Sequence, residues 1–229
     1  MGKLLSPGLV VSFVNQKGGA GKSTFTALYS NWLFTEGKKS GLRVAVVDCD
    51  NQQSTLASAR EREMESSDKK EEDLYKMLQI KSQAFTSRLE TLQDAYDIIL
   101  VDLPGNMEQE GVRDVYHTID VAFVPFKLDE ANIDGTLKFW EKFKKVIPVR
   151  TEAGFNTTVV GIANDVEVRT SEYNDLADGS IKAAMPFEML DVFIRHRADY
   201  KRFSTVDFKE DKLLNEVFEK LTEIITSHI

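Results

Sequence analysis

Nine consecutive residues constrain this chain more than anything else in it: Gln16-Lys17-Gly18-Gly19-Ala20-Gly21-Lys22-Ser23-Thr24. They follow an apolar run at residues 9–15 (LVVSFVN) that predicts a buried strand, and they open a helical segment over residues 22–36. Strand, glycine-rich turn and helix in that order make the context of a phosphate-binding loop. The glycines let backbone N–H groups turn inward without Cβ clashes. The helix N-terminus adds partial positive charge that favours an anion. Lys22 is placed to reach β- and γ-phosphates, the Ser23 hydroxyl to ligate Mg²⁺, and Thr24 to contact the α-phosphate. The ordinary pattern is G-x-x-x-x-G-K-[ST]. Here Gln16 replaces its first glycine and Lys17 follows, giving K-G-G-x-G-K-[ST]. A glycine-rich turn that binds nothing is the bland alternative, and the flanking strand and helix argue against it.

The rest of the chain repeats the strand–helix alternation. Residues 43–49, 98–102, 121–126, 158–163 and 181–185 are short apolar runs that do not alternate with polar residues, as in strands covered on both faces. Residues 133–146 carry Ile133, Leu137, Trp140 and Phe143 at helical spacing. Residues 212–225 place Leu213, Leu214, Val217, Phe218, Leu221, Ile224 and Ile225 on one face. The expected fold class is α/β: a doubly wound, mostly parallel sheet with helices on both faces, of the P-loop NTPase type. Its ligands would sit at the carboxyl ends of the strands. No internal repeat or Pro/Gly/Ser-rich linker interrupts the 229 residues, so a single domain over 1–229 is expected. The polar stretch at 60–73 reads as a solvated helix end and loop.

At this point the phosphate loop resembles the deviant Walker A motif of the ParA/MinD family of ATPases. The resemblance implies ATP and Mg²⁺ as cofactors and a homodimer that closes on ATP. Lys17 would cross to the partner subunit's ATP and neutralise charge on the transferring phosphate, much as an arginine finger does. The family pattern D-x-D-P-Q is matched by Asp48-Cys49-Asp50-Asn51-Gln52, with Asn51 in place of proline. By that match Asp50 positions the attacking water and Asp48 lies near the metal. Ile98-Ile99-Leu100-Val101-Asp102 resembles a Walker B strand, with Asp102 near Mg²⁺, and Pro104-Gly105 resembles the loop that senses the γ-phosphate. Asn164, in Asn164-Asp165-Val166-Glu167-Val168-Arg169-Thr170, matches the family's adenine-contacting asparagine. Pro186 is the one residue of Met185-Pro186-Phe187-Glu188 that matches the loop closing over the base. The expected catalytic set is therefore Lys17, Lys22 and Asp50. The nucleotide-binding set is Lys17, Gly18, Gly19, Ala20, Gly21, Lys22, Ser23, Thr24, Asn164 and Pro186. The metal set is Ser23, Asp48 and Asp102.

What such an ATPase acts on has to be read elsewhere. The formal net charge of −8 gives no bulk attraction to nucleic acid, so DNA binding needs a local basic patch. The densest cluster is Arg195-His196-Arg197 with Lys201 and Arg202. Two readings stand: a nonspecific DNA contact doubled in the dimer, or a solvated face paired with Asp191 and Asp199. The first gives a DNA-partitioning ATPase with a ParB-like or other activating protein. The second gives an ATP-controlled switch that positions a protein assembly or serves conjugation. The few residues before the first strand leave no room for a helix-turn-helix domain, as in the small partition proteins. Cys49 is the one cysteine, which excludes a multi-cysteine metal cluster within the chain and fits a reducing, cytoplasmic setting, nucleoid-associated if DNA is bound. The C-terminal stripe is flanked by Glu216, Glu219 and Glu223 against Lys220, so it reads as core packing rather than as a membrane anchor.

Overall fold

In the computed structural model, which describes residues 7–50, 55–197, 200, 203–208 and 211–228, valine- and isoleucine-rich runs line up as one parallel sheet. Its strands are β1 (Leu9–Phe13), β2 (Val44–Asp48), β3 (Lys76–Gln79), β4 (Ile98–Asp102), β5 (Val121–Phe126), β6 (Thr158–Ala163) and β7 (Glu188–Met189). They pair in the order β3-β2-β4-β1-β5-β6-β7, every neighbouring pair parallel. The helices are α1 (Lys22–Ser40), α2 (Thr55–Glu65), α3 (Ser82–Phe85), α4 (Leu89–Ala95), α5 (Val112–Tyr116), α6 (Glu130–Phe143), α7 (Val146–Glu152), α8 (Ser171–Ala177), α9 (Ser180–Ala184) and α10 (Lys212–Thr226).

Successive strand residues point to opposite faces, and here both faces are apolar. Val11, Phe13, Val46, Leu100 and Phe123 pack under α1 and α10 with Phe25, Tyr29 and Phe218. Val10, Val47, Val101 and Val124 pack on the other side with Phe85, Tyr116, Phe139 and Phe143 from α3, α5 and α6. Central strands buried on both sides explain why the sequence shows continuous apolar runs rather than alternation. The apolar face of α10 is spent in this core: Leu214, Val217, Phe218, Leu221 and Ile225 are all buried. Among the described residues, no helix is long and apolar enough to cross a membrane.

Two elements differ from the sequence expectation. Residues 181–185 are not a strand but mostly α9, started by Gly179 in the left-handed conformation and carried by Ala183 and Ala184, which favour helix. The edge strand is the two-residue β7 instead. β3, with the sequence Lys-Met-Leu-Gln, has neither β-branched residues nor a continuous apolar run, and only pairing with β2 makes it a strand. The polar 60–73 stretch is largely exposed as expected, except for Arg60, which is 3% exposed.

β1 lies between β4 and β5, and the connections run one way from β1 to β2 and the other way from β4 to β5. The crevice beyond its carboxyl end is where a doubly wound sheet takes its ligand.

Candidate functional site

The glycine-rich loop leaves β1 at that crevice. Asn15, fully buried, holds its first turn: its Oδ1 accepts from Lys17 N at 3.0 Å, and its Nδ2 donates to Pro125 O and Thr136 Oγ1, each at 3.0 Å. The loop is thereby tied to β5 and α6. Nothing local in the sequence singles Asn15 out, because Pro125 and Thr136 lie more than a hundred residues away. At the other end of the loop, Gly21 has φ 103° and a Cβ there would lie 2.6 Å from Asn164 Nδ2. Glycine is required by both conformation and contact. Asn164, at the exit of β6, donates from Nδ2 to Ala20 O at 2.9 Å. It therefore stands directly over the loop.

Beneath the loop the expected charged residues converge. β2 and β4 are in register with Asp48 opposite Asp102, so both strands end in a carboxylate at the same level. Asp102 is fully buried. Burial pushes its pKa up to about 7 and Asp48 adds to this, while the Ser23 hydroxyl hydrogen-bonded to it and the Lys22 ammonium oppose the rise. Its Oδ1 is buried without a hydrogen-bond partner. Burial lowers the pKa of Lys22, against the pull of Asp102 and Asp50. Gly105, after β4, comes so close that a Cβ there would lie 3.0 Å from Gln16 O and 3.5 Å from Lys22 Nζ. The segment after Asp102 thus touches the phosphate loop itself.

These groups suit a divalent cation. An unpartnered, buried carboxylate oxygen beside a serine hydroxyl is the hard-oxygen pair that Mg²⁺ takes while keeping most of its waters. Asp48 bonds to backbone N–H groups. Its Oδ2 accepts from Leu56 N at 3.1 Å and Ala57 N at 3.0 Å, and its Oδ1 accepts from Asp50 N at 3.0 Å. Its oxygens are engaged by backbone N–H groups, so it anchors the start of α2 and the turn to Asp50 rather than facing a metal. Asp50 itself is half-buried and within electrostatic reach of Lys22. Asn51 and Gln52 lie outside the described residues.

Lys17 is half-buried, and its methylene stem runs along α6: a Cβ on Gly135 would lie 3.4 Å from Lys17 Cδ. Gly18 and Gly19 are exposed.

Next to the loop a cleft opens between Gly21, Thr24, Phe25 and Leu28 on one side and Asn164 and Ile194 on the other. Its place beside the loop suits a nucleoside. Pro186 is not part of its wall: it is exposed, just before the edge strand β7. The wall comes instead from residues 194–197. Ile194 N donates to Ala163 O, Val166 N to Ile194 O and His196 N to Val166 O, each at 2.9 Å, so this segment continues the sheet edge beside β6. In the sequence this segment shows only the charge cluster Arg195-His196-Arg197. Arg195 and Arg197 both line the cleft, and Arg197 pairs with Asp211 at 2.6 Å and covers the Tyr200 ring. Asp165, the one non-glycine residue with positive φ among those described, joins Lys127 at 2.5 Å and His196 at 2.6 Å. Lys201 and Arg202 lie outside the described residues.

The chain is similar to known nucleotide-binding proteins. The family model of the CobQ/CobB/MinD/ParA nucleotide-binding domain matches residues 11–206. No curated protein matches by sequence. Among solved structures, a putative plasmid partition protein from Borrelia burgdorferi B31 bound to AMPPNP aligns with TM-score 0.68 and 16% identity, over 97% of this chain and 100% of that one. The septum site-determining protein MinD from Pyrococcus horikoshii OT3, complexed with Mg-ADP, aligns with TM-score 0.63 and 20% identity over 95% of each chain. A cobyrinic acid a,c-diamide synthase from Mycobacterium smegmatis with bound ADP and magnesium aligns with TM-score 0.63 and 16% identity, over 87% of this chain and 91% of that one. With a matched family model spanning most of its length and a deviant phosphate loop in place, the chain belongs to the CobQ/CobB/MinD/ParA nucleotide-binding family and is a P-loop ATPase of the ParA/MinD type.

Proposed function

We propose that residues 1–229 act as one ATPase domain that dimerises on Mg·ATP, hydrolyses it to ADP and phosphate, and uses the cycle to partition or position DNA. The observation that carries the ATPase chemistry is the meeting of Lys22, Ser23, Asp50 and Asp102 beneath one loop. Backbone N–H groups of residues 18–24 cradle the phosphates, and Lys22 neutralises charge as it builds on the transferring group. Ser23 and Asp102 would hold Mg²⁺, which would supply positive charge against the phosphates. Asp50, displayed by the turn that Asp48 fixes, orients the attacking water. Asn164 and the 194–197 segment seat the base. Lys17 reaches the partner's ATP once a second copy closes over the loop, leaving its resting place on α6.

DNA as cargo is supported by the fold likeness to a partition protein and by Arg195, exposed at the rim of the cleft. A second reading, an ATP-controlled switch for a protein assembly, is favoured by Arg197. Its pairing with Asp211 and Tyr200 gives it a role within the fold.

The test is binding of random-sequence duplex DNA to the Asp50→Ala protein with Mg·ATP and with Mg·ADP across a salt series. Loss of the water-orienting carboxylate is expected to hold the ATP dimer. Binding in ATP alone, weakening steeply with salt, supports the DNA reading. An ATP dimer that binds no DNA leaves the protein-assembly reading. Normal turnover by Asp50→Ala removes Asp50 from its assigned role.

A further inference from the structure

A groove of about 460 Å³ lies between the segment after β4 and helices α5, α6 and α7. Met107 and Val146, both buried, form its floor, and Val149, 53% exposed, forms an apolar lip. Three permanent cations surround it, Arg113, Lys142 and Lys145, against the one carboxylate of Glu108. That carboxylate is already shared by Lys142 at 3.3 Å and Arg113 at 3.7 Å. Lys145 has no ion pair among the described residues, and His117 Nδ1 is buried without a hydrogen-bond partner. In a chain of net charge −8 this is a local inversion of sign.

The groove also has a direct line to the nucleotide. Met107 and Glu108 follow Gly105 by two and three residues, and Gly105 packs against Gln16 O beside Lys22 Nζ. An occupant of the groove would touch the segment that packs against the phosphate loop.

We propose that this groove docks an acidic segment of a partner protein, with an apolar side chain seated on Met107, Val146 and Val149 and carboxylates on Lys142, Lys145 and Arg113, and that docking changes ATP turnover. This deepens the ATPase reading and rests on it. The apolar floor and the Glu108 carboxylate favour a peptide over a nucleic-acid backbone, which offers phosphates and no aliphatic side chain. A lone lysine cluster would be read only as a solvated face. An apolar floor within a cationic rim, joined in sequence to the Gly105 segment that packs on the phosphate loop, is what separates this groove from one.

The probe is a fluorescein-labelled twelve-residue peptide of glutamate and leucine, with leucines four apart. A lysine-for-glutamate counterpart and a 20-base-pair duplex are the other arms, each titrated against the full chain and against the Lys142→Glu/Lys145→Glu protein. The expected result is binding of the acidic peptide alone, weakened at least about tenfold by the double substitution and by raised salt, with a change in ATP turnover of the unsubstituted protein. Val149→Asp, on an exposed side chain, should weaken it without altering the thermal midpoint. Equal binding by the double variant, equal binding of the lysine peptide, or no effect on turnover would overturn the proposal. Duplex DNA held through the same two lysines would overturn it in favour of nucleic acid. ATP binding is measured without peptide, so loss of the ATPase reading would be seen separately.

Discussion

Burial pushes Lys22 and Asp102 each toward the neutral form, and each pulls the other part of the way back. The ammonium is desolvated, the carboxylate is desolvated, and each is the other's nearby counter-charge. Lys22→Ala removes charge-assisted hydrogen bonds to phosphate of about 1.5–3 kcal/mol, so ATP affinity by isothermal titration should fall roughly 10- to 100-fold or more. Asp102 gives a pH prediction with a definite sign. Its folded pKa of about 7 lies above the ordinary 3.8, so the folded, nucleotide-free protein binds a proton that the unfolded chain has released between those values. This group therefore stabilises the fold fully below about pH 4, and its contribution is lost as pH rises toward 7. Thermal midpoints of the nucleotide-free protein should show that decline, and Asp102→Asn should flatten it. Mg²⁺ affinity should run the other way, rising with pH over the same range, because the metal competes with that proton.

The elements around the site are set by side chains that reach across the sequence. Asp48 caps α2 through Leu56 N and Ala57 N across residues that do not adjoin it. Asp48→Ala should cost about 1–2 kcal/mol in urea unfolding, as loss of a helix cap does, and should lower turnover by loosening the turn to Asp50. Farther along α2, Arg60 is buried under the 203–208 segment. Its Nη2 donates to Thr205 O at 2.7 Å, and its guanidinium covers the Tyr75 ring at 4.4 Å. Glu63 Oε2 accepts from Thr205 N at 2.7 Å. A helix that reads as solvated is thus latched on one side. The charged residues at 60–73 carry no period that separates Arg60 from its exposed neighbours, so the latch was invisible in the sequence. The same limit applies to α9 and β7, where a short apolar run fits either state and the turn at Gly179 decides.

For the whole molecule, dimerisation is the property on which the proposed cycle depends. Lys17 lies along α6 of its own chain, yet its assigned target is the partner's ATP. Lys17→Ala should keep monomeric ATP binding and lose the ATP-dependent dimer. Analytical ultracentrifugation with Mg·ATP, using Asp50→Ala as the background, reads this directly, and an intact dimer would remove Lys17 from the interface role. The sequence by itself determined the phosphate loop, the five longer strands and the acids at the ends of β2 and β4. These are local patterns: a glycine spacing, a buried run, a carboxylate after it. Only the tertiary structure decided the rest. It gave Asp48 to a helix cap, removed Pro186 from the nucleoside cleft, and brought residues 194–197 there as its wall. It also made Asn15 the brace of the loop and left a cationic groove on an acidic chain. Apart from the Asp48 cap, whose partners lie within nine residues, these depend on segments distant in the chain, and packing, unlike periodicity, is a relation between such segments that no local pattern records.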